Sequence, residues 1–177
     1  MAPGAHMTRT TNARLAGFTF LFYIAAGITS LILGDEAAAT SVLSVLTSLC
    51  ALLLGVTLYA ITRVQDPDLA LLGLTCRIVE GIPGVQGEIF FAIGSTLFAW
   101  LLLRGRMIPV ALAQFGVAAS VLLVVLLLLQ RGEVVADAGG WSSVATWLMW
   151  LPMAAFEITL AFWFLIKGVA APAPDPT

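Results

Sequence analysis

Runs of about 20 apolar residues, each long enough to cross the hydrocarbon core of a bilayer, recur along this chain. Residues 15–34, 40–62, 108–130 and 141–166 are such runs. The stretch 69–103 is too long for one crossing and contains Gly81, Pro83, Gly84 and Gly87. Those residues are turn chemistry, so the stretch is expected to split into helices at 69–83 and 85–103. Only 10% of the 177 residues are charged, against about 25% in soluble domains. Too little polar surface remains to clothe a water-soluble fold. A soluble enzyme, a nucleic-acid binder and a disordered regulator are therefore excluded.

The expected fold class is all-α: a polytopic membrane bundle of six transmembrane helices. Its domain covers 14–168, between a flexible N-terminal tail at 1–13 and a disordered Ala/Pro tail at 169–177. Charge in the loops tests the count. Arg9, Arg14, Arg63, Arg104, Arg106 and Lys167 fall on one side, while only Arg131 falls on the other with Asp35, Glu36, Glu133 and Asp137. The positive-inside rule then places both termini in the cytoplasm and the chain in the cytoplasmic membrane. Residues 37–39 imitate a signal-peptide cleavage site, yet the preceding apolar run exceeds the usual ~7–15 residues of such a segment. Met7 is an alternative start to Met1, and His6 lies in the tail either way.

Little conventional chemistry is encoded. Cys50 and Cys76 stand alone inside helices and read as small packing residues. No metal-ligand spacing occurs and no cofactor is implied. With one histidine in the tail, a Ser-His-Asp mechanism is unavailable. Gly81, Gly84 and Gly87 lack the Lys and Ser/Thr of a phosphate loop.

What remains is a set of ionisable residues inside the spans: Arg77, Glu80, Glu88 and Glu157. Charges at membrane depth usually face a bundle interior or cavity. At ~1.5 Å per residue, Arg77, Glu80 and Glu157 lie roughly 12, 16 and 15 Å from the basic ends of their helices. They share one layer, whereas Glu88 falls near the outer interface and reads as water-exposed. Arg77 and Glu80, three apart, share a helix face. A contact of the third helix with the sixth would let Arg77 bridge both carboxylates. One cation against two carboxylates leaves a surplus of one negative charge, so one glutamate is expected to hold a proton at neutral pH. Glu80 and Glu157 are thus candidate acid/base groups with Arg77 as charge partner. Trp150 lies seven residues before Glu157, Trp147 and Phe156 flank the same stripe, and Pro152 should kink the helix. Trp147, Trp150 and Phe156 are candidate ligand-binding residues. An Arg–Glu pair that only locks packing, beside an interfacial aromatic belt, explains the same residues more plainly.

The segments RLAG (14–17), CRIVEG (76–81), LLLRGRMIP (101–109) and LPMAAFEITLAFWFLIKG (151–168) resemble a bacterial family of six-helix membrane proteins, domain of unknown function family 4386. The resemblance implies architecture and marks Arg77, Glu80 and Glu157 as family-type positions without assigning them a role. Three readings stay open. The chain binds a lipophilic small molecule and acts on it by carboxyl general acid–base chemistry, as an isoprenoid cyclase or isomerase would. Alternatively it is a non-catalytic scaffold or regulatory partner with the cluster as packing glue. As a third course it is a small proton-coupled transporter, with a homodimer supplying the second half.

Overall fold

Residues 8–33, 38–82, 85–134 and 143–171 are described by the structure, a computed structural model. Six helices follow in order: α1 (Arg9–Leu33), α2 (Ala38–Thr62), α3 (Pro67–Glu80), α4 (Gly87–Arg104), α5 (Val110–Arg131) and α6 (Val144–Ile166). No strand occurs among the described residues. All but α3 are long and apolar enough to span a membrane, which marks a membrane protein.

The termini of the helices follow local chemistry. The Thr11 N–H donates to the Thr8 hydroxyl at 3.2 Å, and the Asn12 N–H to the Thr8 carbonyl at 3.0 Å. This cap starts α1 at Arg9, so part of the expected 1–13 tail is helical, with Asn12 and Ala13 buried. Asp66 caps α3 by accepting from the Leu69 N–H at 3.0 Å, with Pro67 at the first helical position. Gly81 ends α3 after 14 residues, about 21 Å of helix, short of the 69–83 span expected. At the C-terminus, Val169 packs against the core and the Ala170 N–H donates to the Met107 carbonyl at 2.9 Å. Residues 169 and 170 of the expected tail therefore contact the bundle. His6, Asp35, Glu36, Asp137, Trp141 and the segment from 172 onward lie outside the described residues.

Each helix packs on its neighbours in sequence, and α6 returns to α1, closing a ring in chain order. In that order α3 stands opposite α6, and a smaller contact of α2 with α4 runs behind α3. One end of the ring carries Arg9, Arg14, Arg63, Arg104, Arg106 and Lys167; there Arg104 meets Asp66 at 3.7 Å.

The two halves of the ring differ. Toward the basic end the interior is filled by Ala16, Phe20, Leu58, Ile61, Leu102, Leu160 and Phe164, all buried. Toward the far end α2 buries nothing from 39 to 49, α5 nothing beyond Leu123, and α6 only Thr146 before Met153. The cause is the short hairpin of α3 and α4. Its turn meets α1 at Tyr23 and α2 at Ser48, each ten residues, about 15 Å, from its helix's far end. Among the described residues, only α1, α2, α5 and α6 continue beyond that level, with no residue of α3 or α4 between α2 and α5.

Candidate functional site

The site is assembled where the hairpin stops. Arg77 lies in the last turn of α3, and its stem is seated between two glycines of the flanking helices. A Cβ on Gly55 of α2 would stand 2.9 Å from Arg77 Cβ, and one on Gly94 of α4 would stand 3.1 Å from Cys76 Cβ and 3.9 Å from Arg77 Cγ. Small residues here let α3 sink between α2 and α4, and the guanidinium projects into the ring.

Arg77 is 1% exposed. Its Nη1 donates to Glu80 Oε2 at 2.8 Å, the i, i+3 pair expected on one face. The other carboxylate oxygen, Glu80 Oε1, accepts from the Tyr23 hydroxyl of α1 at 2.8 Å. Arg77 Nη2 donates to Ser95 Oγ of α4 at 3.4 Å and lies 3.5 Å from Glu157 Oε1 of α6. The last distance is a charge contact rather than a hydrogen bond, since charge-assisted N–H···O bonds run at about 2.7–2.9 Å. Neither Arg77 Nε nor Glu157 Oε1 has a hydrogen-bond partner. Below the guanidinium, Phe91 presents its ring face 4.8 Å from Arg77 Cζ, and Phe91 in turn packs on Trp150 at 5.6 Å.

The three ionisable residues placed in one layer by the sequence do converge, but not through packing of α3 on α6. Those helices face each other across the ring, and the length of the arginine side chain makes the connection. Trp150 joins through Phe91. Phe156 is buried against Gly116 and Phe115 and reaches the space beside Glu157. Trp147 is separated from this group: it is 49% exposed on the outer surface of α6. The reason is angular, because ten residues before Glu157 is about 80° around the helix, whereas seven is about 20°. Glu88 is exposed in the first turn of α4. Cys50 and Cys76 are buried and unpaired as thiols.

Tyr23, Ser95 and Phe91 belong to the site and were not singled out by sequence. For Tyr23 a signal existed: it is one of only two tyrosines and stands some 21 Å into its helix, too deep for an interfacial anchor. Among the described residues no three His, Cys, Asp or Glu side chains converge as a metal site would require.

Chemically, the arrangement is a brace. One cation gathers groups from α3, α4 and α6, and Glu80 ties α1 to the same point. The two carboxylates are held differently: Glu80 has a donor on each oxygen, while Glu157 Oε1 has the longer contact and no hydrogen bond.

Residues 84–168, from the α3–α4 turn through α6, match the family model described as "Domain of unknown function (DUF4386)". It is the family that the sequence motifs resemble, and the match includes Phe91, Ser95, Trp150 and Glu157. No curated protein and no solved structure matches the chain.

Proposed function

We propose that this membrane protein binds a lipophilic small molecule in the far half of the ring, with the Arg77 brace as the floor of the site. The observation that carries the reading is the early end of the α3–α4 hairpin. Above Tyr23 and Glu80 it leaves α1, α2, α5 and α6 with few buried residues, Ala26 and Thr146 among them, and with no described residue of α3 or α4 between α2 and α5. A lipophile entering from the bilayer along that gap meets apolar walls first. It then meets the half-buried Tyr23 and Trp150 and, behind Tyr23, the Glu80 carboxylate. Pockets of this kind, mostly apolar with a few convergent polar groups, are the usual form of small-molecule sites.

The basic end is read as cytoplasmic, which puts both termini there and the chain in the cytoplasmic membrane. Because α3 and α4 enter and return on that side, the orientation does not depend on α3 completing a crossing. The ligand is placed on the Tyr23–Glu80 side because the space next to Glu157 is only ≈ 10 Å³, too small for an isoprenoid chain. In this reading Glu80, held by Tyr23 and Arg77, is the carboxyl in a position to exchange a proton with a bound lipophile.

A scaffold or partner-binding role has its own observation in its favour: Tyr23, Glu80, Ser95 and both terminal nitrogens of Arg77 are engaged with one another, as packing glue would be. Mass spectrometry of small molecules retained in nanodiscs separates the two. Wild type is compared with Tyr23→Phe, Glu80→Gln and Glu157→Gln at matched purity. A defined lipophile kept by wild type and by Glu157→Gln, and lost from the Tyr23 and Glu80 variants, supports the proposal. Retention of bulk bilayer lipids alone in every sample refutes it and leaves the brace as glue.

A further inference from the structure

Glu88 sits in the first turn of α4 and is exposed, yet it does not lie on the outer face of that helix. At about 100° per residue it stands about 20° around α4 from Ser95 and about 60° from Phe91. Ser95 and Phe91 both meet the Arg77 guanidinium, so this is the face turned to the interior of the ring. Phe91 is 5% exposed, and one turn farther on Glu88 is open. The interior therefore opens between those two residues, and the Glu88 carboxylate stands at the edge of the floor of the far half.

Glu88 has no ion pair among the described residues, and the cation nearest the floor, Arg77, is taken up by Glu80 and Glu157. The helix dipole tolerates an acidic side chain in a first turn without neutralising it. An aromatic surface stands at the same level. Trp150 of α6 is half-buried and packs on Phe91 at 5.6 Å. Like Glu88, it lies 16 residues, about 24 Å, before the last residue of its helix. A carboxylate without a counter-ion, beside an indole at the mouth of an apolar space, is complementary to an ammonium group on a hydrocarbon tail. Taking the far half as a lipophile site, as above, we propose that its occupant is an amphiphile with an ammonium head. The head is held between Glu88 and Trp150, and the tail runs between α2 and α5. An alcohol would leave Glu88 without a counter-charge, and an anionic head would be repelled by it.

The test is native mass spectrometry of the full chain released from micelles of an uncharged maltoside detergent, titrated with probes that share a dodecyl tail. Dodecyltrimethylammonium carries the cation, dodecanol carries no charge, and dodecylphosphocholine presents the same ammonium as part of a lipid head group. Wild type is expected to hold dodecyltrimethylammonium more tightly than dodecanol. Glu88→Gln and Trp150→Leu should each weaken the cation about three- to tenfold, with dodecanol unchanged in Glu88→Gln. Added salt should weaken the cation on wild type and not on Glu88→Gln. Dodecylphosphocholine held as tightly as the trimethylammonium probe supports a lipid head group as the source of the ammonium, and weaker binding supports a free amphiphilic amine. Equal binding of cation and alcohol to wild type overturns the ammonium assignment while the lipophile site stands. Binding of neither probe overturns both. A cation preference that survives in Glu88→Gln overturns the assignment to Glu88. If Trp150→Leu does not fold, the exposed Glu88→Gln substitution decides alone.

Discussion

Replacing Arg77 by methionine removes the cation while keeping most of the stem's volume between Gly55 and Gly94. What is left is two carboxylates, with side chains 7% and 6% exposed, that have lost their counter-charge. Removing one partner of a buried ion pair costs about 3–5 kcal/mol, mostly through the charge left behind. The lost Phe91 contact adds up to ~2 kcal/mol for a desolvated cation–π pair. At roughly 2–4 °C per kcal/mol for a chain of this length, the melting temperature should fall by about 6–28 °C. The assay is tryptophan fluorescence during a thermal ramp in nanodiscs. The triple variant Arg77→Met, Glu80→Gln, Glu157→Gln supplies the internal check. If the penalty comes from uncompensated charge, neutralising both carboxylates should restore more than half of the loss. A single variant that melts within about 2 °C of wild type, or a triple variant no better than the single, would refute the electrostatic account of the brace.

Glu157→Gln should move the melting temperature little, by less than about 1 kcal/mol in stability, because its contact is long and the amide keeps an acceptor oxygen; a loss of several degrees would instead identify a structural ion pair. Tyr23→Phe removes a 2.8 Å donor to a carboxylate and should cost about 1–2 kcal/mol, between the value for charged acceptors and the smaller one found among membrane helices. Gly55→Ala sets a methyl 2.9 Å from both Arg77 Cβ and Leu74 Cδ1, so overpacking should cost about 1–3 kcal/mol in the same melt. Gly27→Ala, six residues before the end of α1 and with nothing within 4 Å of its Cβ, should stabilise by up to about 1 kcal/mol through helix propensity; destabilisation would mean that the far half is packed.

The helices and the charged trio were legible because both announce themselves in single-sequence terms. Apolar length gives spans, and Arg77, Glu80 and Glu157 are conspicuous against an apolar background. Neighbour relations were not legible. Periodicity tells which face of α6 carries Glu157 but not which helix that face meets, and a direct α3–α6 contact was the simpler guess. The ring order makes the arginine span the interior instead. Tyr23 and Phe91 escaped because aromatic residues in a membrane helix look like lipid-facing or core residues until their partners are known. Apolarity alone starts α1 at Leu15, whereas the cap at Thr8 starts it at Arg9. The turn chemistry of 81–87 locates the break between α3 and α4 but not the residue at which α3 stops, which is Glu80, with Gly81 as its cap.

The short α3 explains why a cation belongs at its end at all. At the end of α3 the last carbonyls lie beside the buried Arg77, away from solvent, and such groups must be satisfied within the protein. Tight turn bonds take part of this load: the Gly81 N–H donates to Ile78 O at 3.2 Å and the Ile82 N–H to Val79 O at 3.0 Å. The partial negative charge of the C-terminus persists, and a cation in the last turn offsets it. Arg77 occupies that turn, but so does Glu80, whose charge opposes the dipole. Glu80 is tolerable only with a donor on each oxygen, which is what Tyr23 and Arg77 provide. The open far half and the brace are therefore one feature seen from two sides. Ending the hairpin early leaves α1, α2, α5 and α6 to continue without it, and puts Arg77 and Glu80 at the level where it stops.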